Sequence, residues 1–96
     1  MDKEEIISDA VKIIRRYLPD QKLEIVLFGS WARGDAQANS DIDIGLVGPE
    51  PVDDMKLFRI QEEIKGIPTL RRIDVVDLNR TDDSFRQEAL NYARVL

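Results

Sequence analysis

Cysteine and histidine are both missing from this 96-residue chain. The first absence excludes disulfides and thiolate metal sites. The second excludes Ser-His-Asp and Cys-His mechanisms, together with the common zinc sites. Aromatic residues are scarce, at 6%, and Trp31 is the single tryptophan. No apolar run approaches the length that spans a bilayer. The N-terminus, MDKEEIISD, is acidic and carries no signal-peptide pattern, so the expected address is cytoplasmic and off the membrane. Chemistry, if there is any, falls to carboxylates, and a metal they hold is a hard, oxygen-preferring ion such as magnesium. Basic residues are outnumbered, 14 against 19 acids, for a net charge of −5. Duplex-binding proteins usually present a basic surface. Here the basic residues cluster only as Arg15-Arg16 and Arg71-Arg72, both read as solvated surface charge, and no direct nucleic-acid partner is expected.

What is present describes an ordinary globule, 43% hydrophobic and 34% charged, long enough for a single domain over residues 1–96 with a modest core. Asp2 and Glu5 resemble a capping box, and apolar residues at helical spacing extend a helix from Lys3 to Leu18, stopped by Pro19. LEIVLF, Leu23 to Phe28, reads as a strand broken by Gly29. Ser30 to Arg33 fits one helical turn closed by Gly34, and DAQANS reads as a loop. Alternation gives a second strand from Asp41 to Val47, followed by a turn at GPEP. Val52 to Lys65 reads as a helix with Met55, Phe58, Ile60 and Ile64 near one side, closed by Gly66. RIDVVDL, Arg72 to Leu78, is a third strand and Asn79 to Asp83 a loop. Ser84 and Gln87 form a second capping box for a last helix running to the C-terminus. The expected fold class is α/β (α+β), a small mixed sheet packed with helices in the order α-β-turn-β-α-β-α. The apolar end Val95-Leu96 is expected to pack on the sheet.

One stretch carries the chemistry: LFGSWARGDAQANSDIDIGLV, Leu27 to Val47. Side chains alternate across a strand, so Asp41 and Asp43 share one face while Ile42, Ile44 and Leu46 share the other. Two carboxylates so close repel and raise a pKa unless something neutralises them, and a divalent cation does so most economically. Asp74, set within Ile-Asp-Val-Val, joins them if the second and third strands are neighbours. Three carboxylates on adjacent strands suit a two-metal site, with Asp74 also placed to act as general base. Gly29 lets backbone approach a ligand closely, the turn behind it offers N–H groups to an anion, and the Ser30 hydroxyl adds a donor. Gly-Ser then grips phosphates and Asp-x-Asp holds the metal that activates them. Taken singly these features are weak: Asp-x-Asp is often two surface acids, Gly-Ser is usually a turn, and Asp74 has Arg71 and Arg72 as ready ion-pair partners. Trp31 reads as packing more readily than as nucleotide stacking. Arg33 has two readings, phosphate binding or an ion pair with Asp35 or another acid.

Leu-Phe-Gly-Ser-x-Ala-Arg-Gly followed by Ser-Asp-x-Asp resembles the signature of the polymerase-beta-like nucleotidyltransferases. The match is full at Gly29, Ser30, Ala32, Arg33, Gly34, Ser40, Asp41 and Asp43 and looser beyond. The resemblance implies the nucleotidyltransferase fold, nucleotide and phosphate binding at Gly29, Ser30, Arg33 and Ser40, and magnesium, two ions in number, held by the catalytic Asp41, Asp43 and Asp74. The chain length resembles the minimal nucleotidyltransferases (MNT), which work beside small helical HEPN proteins as antitoxin to toxin. That resemblance implies transfer of AMP from ATP to a tyrosine of the HEPN partner. Two alternatives stand beside it: a non-catalytic antitoxin that neutralises its partner by binding, and a small-molecule nucleotidyltransferase of the aminoglycoside type.

Overall fold

A computed structural model describes residues 2–20 and 22–96. The elements are α1 (Lys3–Tyr17), β1 (Glu24–Phe28), α2 (Ser30–Arg33), β2 (Ile42–Val47), α3 (Asp54–Ile64), β3 (Ile73–Asp77), a 3₁₀ turn (Leu78–Arg80), α4 (Asp83–Asn91) and β4 (Arg94–Val95). They build a four-stranded mixed sheet in the order β3-β2-β1-β4. β1 runs antiparallel to both β2 and β4, whereas β2 and β3 are parallel, joined through α3. The expected mixed sheet with helices is what forms, and β2 and β3 are neighbours.

Local chemistry accounts for the helices. The Asp2 carboxylate accepts the Glu5 N–H at 2.9 Å, opening α1. Acids occupy its first turn and Arg15 and Arg16 its last, along the helix dipole. Asp53 caps α3 through the Lys56 N–H. Period-two alternation then divides the core between the faces of the sheet. Ile25, Leu27, Ile42, Ile44, Leu46 and Val75 lie beneath α1 and α3, packed on Ile6, Ala10, Ile14, Ile60 and Ile64. Val26, Phe28, Leu78 and Ala89 form a smaller cluster on the other face, beneath α4. The smaller cluster leaves that face partly open at the C-terminal end of β1, where the carboxylates stand.

Several sequence expectations need correction. α3 buries Ile60 and Ile64, with Leu57 partly buried beside them, while Met55 and Phe58 are exposed; positions 57, 60 and 64 share a stripe that 55 and 58 do not. α4 is capped by Asp82, whose side chain accepts the Phe85 N–H at 2.8 Å, so Ser84 sits inside the helix rather than opening it. The last helix stops at Asn91 instead of reaching the C-terminus. Arg94 and Val95 pair with Leu27 and Val26 as a short edge strand, and the Leu96 N–H reaches the Ile25 carbonyl at 2.8 Å. The edge of β1 offers free backbone groups there, which outweigh the weak helix preference of Asn91 and Tyr92. Leu96 packs on the main core, as expected, whereas Val95 faces solvent.

Candidate active site

The strand register assembles the site. Phe28, the last residue of β1, lies opposite Asp43, and Asp43 lies opposite Asp74. Partners in register point to the same face, so Asp43 and Asp74 stand side by side on the partly open face. Asp41 shares the face by alternation but sits one residue before β2 begins, at the end of a loop rather than within the strand.

Gly29 makes room for them. Its φ of +75° and ψ of −153° fall in a region that only glycine occupies comfortably. A Cβ built there would lie 2.2 Å from an Asp43 carboxylate oxygen. The aspartate therefore fills the space left by the missing side chain, and the chain turns sharply from β1 into α2. Ser30 opens that turn, where N–H groups have no intrahelical acceptor, and Gly34 closes it at φ +88°.

The electrostatics follow from the crowding. Partial burial pushes the Asp43 pKa up, the charges of Asp74 and then Asp41 push it further, and Arg33 and Arg72 oppose them. Asp74 accepts a hydrogen bond from Arg72 at 3.0 Å in a solvent-exposed pair, an interaction worth little and readily exchanged. Arg33 pairs with Asp35 at 3.3 Å. The Ser40 hydroxyl accepts the Gln37 N–H at 2.8 Å, closing the loop, while its carbonyl accepts the Trp31 indole N–H at 3.2 Å.

The seven residues singled out from the sequence, Gly29, Ser30, Arg33, Ser40, Asp41, Asp43 and Asp74, all line one open cavity of about 1220 Å³. Sequence reasoning passed over others on its wall. Phe58 and Phe85 flank it as exposed aromatics, and Phe85 meets Phe28 edge-to-face with ring centroids 6.2 Å apart. Arg72 is the exposed residue that pairs with Asp74, one of the two partners expected for that acid, while Arg71, read as solvated charge, lies 5.3 Å from the centre of the Trp31 ring. Trp31 itself packs on the main core, as expected. Nothing in a basic dipeptide distinguishes these uses, because they depend on the tertiary neighbours of β3.

The donor set is all oxygen, which fits a hard cation and no soft one. Among the described residues no group of three or more Asp, Glu, His or Cys side chains is arranged to hold a metal ion, and Asp74 pairs with Arg72. A magnesium site does not need such a group: this ion is usually held by one or two carboxylates plus substrate phosphates. Among the described residues, no helix is long and apolar enough to cross a membrane.

Residues 10–96 match the protein family described as polymerase beta, nucleotidyltransferase. The chain is 28% identical over 85 residues to "Probable protein adenylyltransferase MntA" of Haemophilus influenzae, covering 88% of this chain and 73% of that protein. Across four curated relatives it spans from 53% to 90% of the relative's own length. Among solved structures it is similar to a toxin–antitoxin complex with AMP-PNP, with a TM-score of 0.71 at 25% identity over 98% of this chain and 72% of that one. A complex of the tri-AMPylated Shewanella oneidensis HEPN toxin with an MNT antitoxin gives a TM-score of 0.70 at 20% identity, covering 98% and 71% of the two chains. At that identity the second likeness speaks for the fold alone.

Proposed function

The chain belongs to the polymerase beta nucleotidyltransferase family, and we propose that it works there as a Mg²⁺-dependent protein adenylyltransferase. In this reading it transfers AMP from ATP to a tyrosine hydroxyl of a HEPN-type toxin and acts as that toxin's antitoxin. The observation that carries the reading is the register that sets Asp43 beside Asp74 and seats its carboxylate in the space left open by Gly29. The adenylyltransferase name of the relatives and the nucleotide in the toxin–antitoxin complex support it.

Each residue takes a role that its position allows. Asp41 and Asp43 would hold the ion, joined by Asp74 when the exposed Arg72 lets go. A bound Mg²⁺ would offset the charge of the crowded carboxylates and of the triphosphate, and would lower the pKa of an attacking hydroxyl. The Gly29 turn, the Ser30 hydroxyl and Arg33 would take the phosphates, with Ser40 shaping the loop that ends at Asp41. Asp74 would accept the proton of the acceptor hydroxyl as its oxygen bonds to the α-phosphorus. The bond from the α-phosphorus to the bridging oxygen breaks, and pyrophosphate leaves. The cavity is open, with Phe58 and Phe85 exposed on its wall, and in this scheme the acceptor comes from a separate molecule. Residues 1–96 act as one minimal catalytic domain in this scheme, in the cytoplasm where ATP and Mg²⁺ are at hand.

Mass spectrometry of the HEPN partner after incubation with this protein, ATP and Mg²⁺ tests the proposal. The expected result is a gain of one or more AMP units, absent with Asp43→Asn. A tight complex with no change in mass would replace the enzyme with a binding antitoxin.

A further inference from the structure

Asp41 poses a positioning problem. Asp43 and Asp74 are fixed by sheet hydrogen bonds, but Asp41 is exposed and stands outside β2, at the end of the loop that follows α2. The backbone on its C-terminal side is tied down by the Ile42 N–H, which donates to the Arg72 carbonyl at 2.9 Å. On its N-terminal side, the hydrogen bond that ties Ser40 to the folded body among the described residues is from the Trp31 indole N–H to the Ser40 carbonyl at 3.2 Å. The other bonds of Ser40, to Gln37, are internal to the loop.

The indole is itself held. It packs on the main core. The Lys3 ammonium from α1 lies 4.5 Å from its ring centre, and the Arg71 guanidinium, from the segment before β3, lies 5.3 Å away. Arg71 Nη1 is buried and has no hydrogen-bond partner among the described residues. An unsatisfied buried donor costs free energy, and the guanidinium that carries it lies over the negative face of the indole. Two cations against one ring limit its rotation, and a ring so limited aims its N–H in one direction.

We infer that Trp31 is a positioning residue for the metal-binding carboxylate Asp41, acting through the Ser40 carbonyl. Its indole N–H fixes the peptide that precedes Asp41, and Lys3 and Arg71 fix the indole. Outer contacts that orient a ligand commonly change metal affinity by about 10-fold or more when removed. The inference rests on the reading of Asp41 as a ligand of a divalent cation.

The test is Mn²⁺ binding, followed by electron paramagnetic resonance in the presence of AMP-PNP, for the wild type, Trp31→Phe and Asp41→Asn. Phenylalanine keeps an aromatic face for both cations and lacks the N–H. The expected result is Mn²⁺ affinity lower by about 10-fold in Trp31→Phe, with a melting temperature close to wild type, and a larger loss in Asp41→Asn. Unchanged affinity in Trp31→Phe beside a lost affinity in Asp41→Asn overturns the inference and leaves the site reading intact. Unchanged affinity in Asp41→Asn overturns both. Should Trp31→Phe fail to fold, the wild-type protein decides: Trp31 is the sole tryptophan, so its emission should shift in a saturable way as Mg²⁺ binds. Calorimetric Mg²⁺ binding with no change in that emission would overturn the inference.

Discussion

Asp43 stands between two other acids with part of its carboxyl withdrawn from water, and burial, Asp74 and Asp41 all raise its pKa above the ordinary 3.8. A carboxyl whose folded pKa is raised binds more protons in the native state than in the unfolded one. Its contribution is then most favourable below about pH 3.8 and turns against the fold as pH rises through the raised value. Without divalent ions at pH 7, Asp43→Asn should therefore raise the melting temperature, and the difference should vanish near pH 3. Added Mg²⁺ should stabilise the wild type more than the variant. Calorimetric scans at the two pH values, with and without Mg²⁺, check this; a variant less stable at pH 7 in the absence of Mg²⁺ would contradict the electrostatic account. Asp41, Asp43 and Gly29 were legible in the sequence because local geometry alone makes Asp-x-Asp share a face and lets glycine turn a strand end. The Arg72–Asp74 pair was legible too, as one of the partners open to Asp74, whereas the place of Arg71 was not, because it is defined by the Trp31 ring it lies over.

Elements were legible where a periodic pattern is long and its ends are marked. α1 and α3 begin and end within two residues of expectation, since Pro19 and Gly66 mark their ends, although the buried stripe of α3 was misassigned. α4 was misread at both ends. Asp82 and Ser84 are both capping residues, two positions apart, and only the fold shows which one meets a free N–H. Asp82→Ala should cost about 1 kcal/mol, a fall of about 4–8 °C in melting temperature, whereas Ser84→Ala should stay within about 0.5 kcal/mol of wild type. Equal losses in denaturant titrations would return the cap to Ser84. β4 was invisible because two residues carry no period, and its existence depends on the free edge of β1. Deleting Tyr92 to Leu96 removes that pairing, the Leu96 hydrogen bond to Ile25 and the Leu96 contact with the main core. The truncated chain should lose stability more than partner affinity, as measured by thermal melting against binding at a temperature where it stays folded. A stable truncation that no longer binds would make this end an interface instead.

At the scale of the molecule, charges of both signs meet at one cavity. The net charge is −5, and Arg33, Lys65, Arg71 and Arg72 border the cavity together with the three site carboxylates, Glu62 and Glu88. Opposed charges at one cavity suit a ligand of mixed charge, a polyanion carrying its own cation, better than either alone. The adjacency of β2 and β3, on which the third carboxylate depended, could only be conditional in the sequence; the parallel crossover through α3 supplies it. Mg²⁺ with AMP-PNP should consequently stabilise the folded chain as one ligand. At ten times the dissociation constant the linkage amounts to about 1.4 kcal/mol, a rise of about 6–11 °C in melting temperature. AMP-PNP with a chelator should give less, because the triphosphate then faces Asp41, Asp43 and Asp74 without an ion between them. Asp43→Asn should narrow the gap between the two conditions by weakening the response to Mg²⁺. Equal shifts with and without Mg²⁺ in the wild type would mean that the arginines alone hold the nucleotide and that the carboxylates do not share an ion with it.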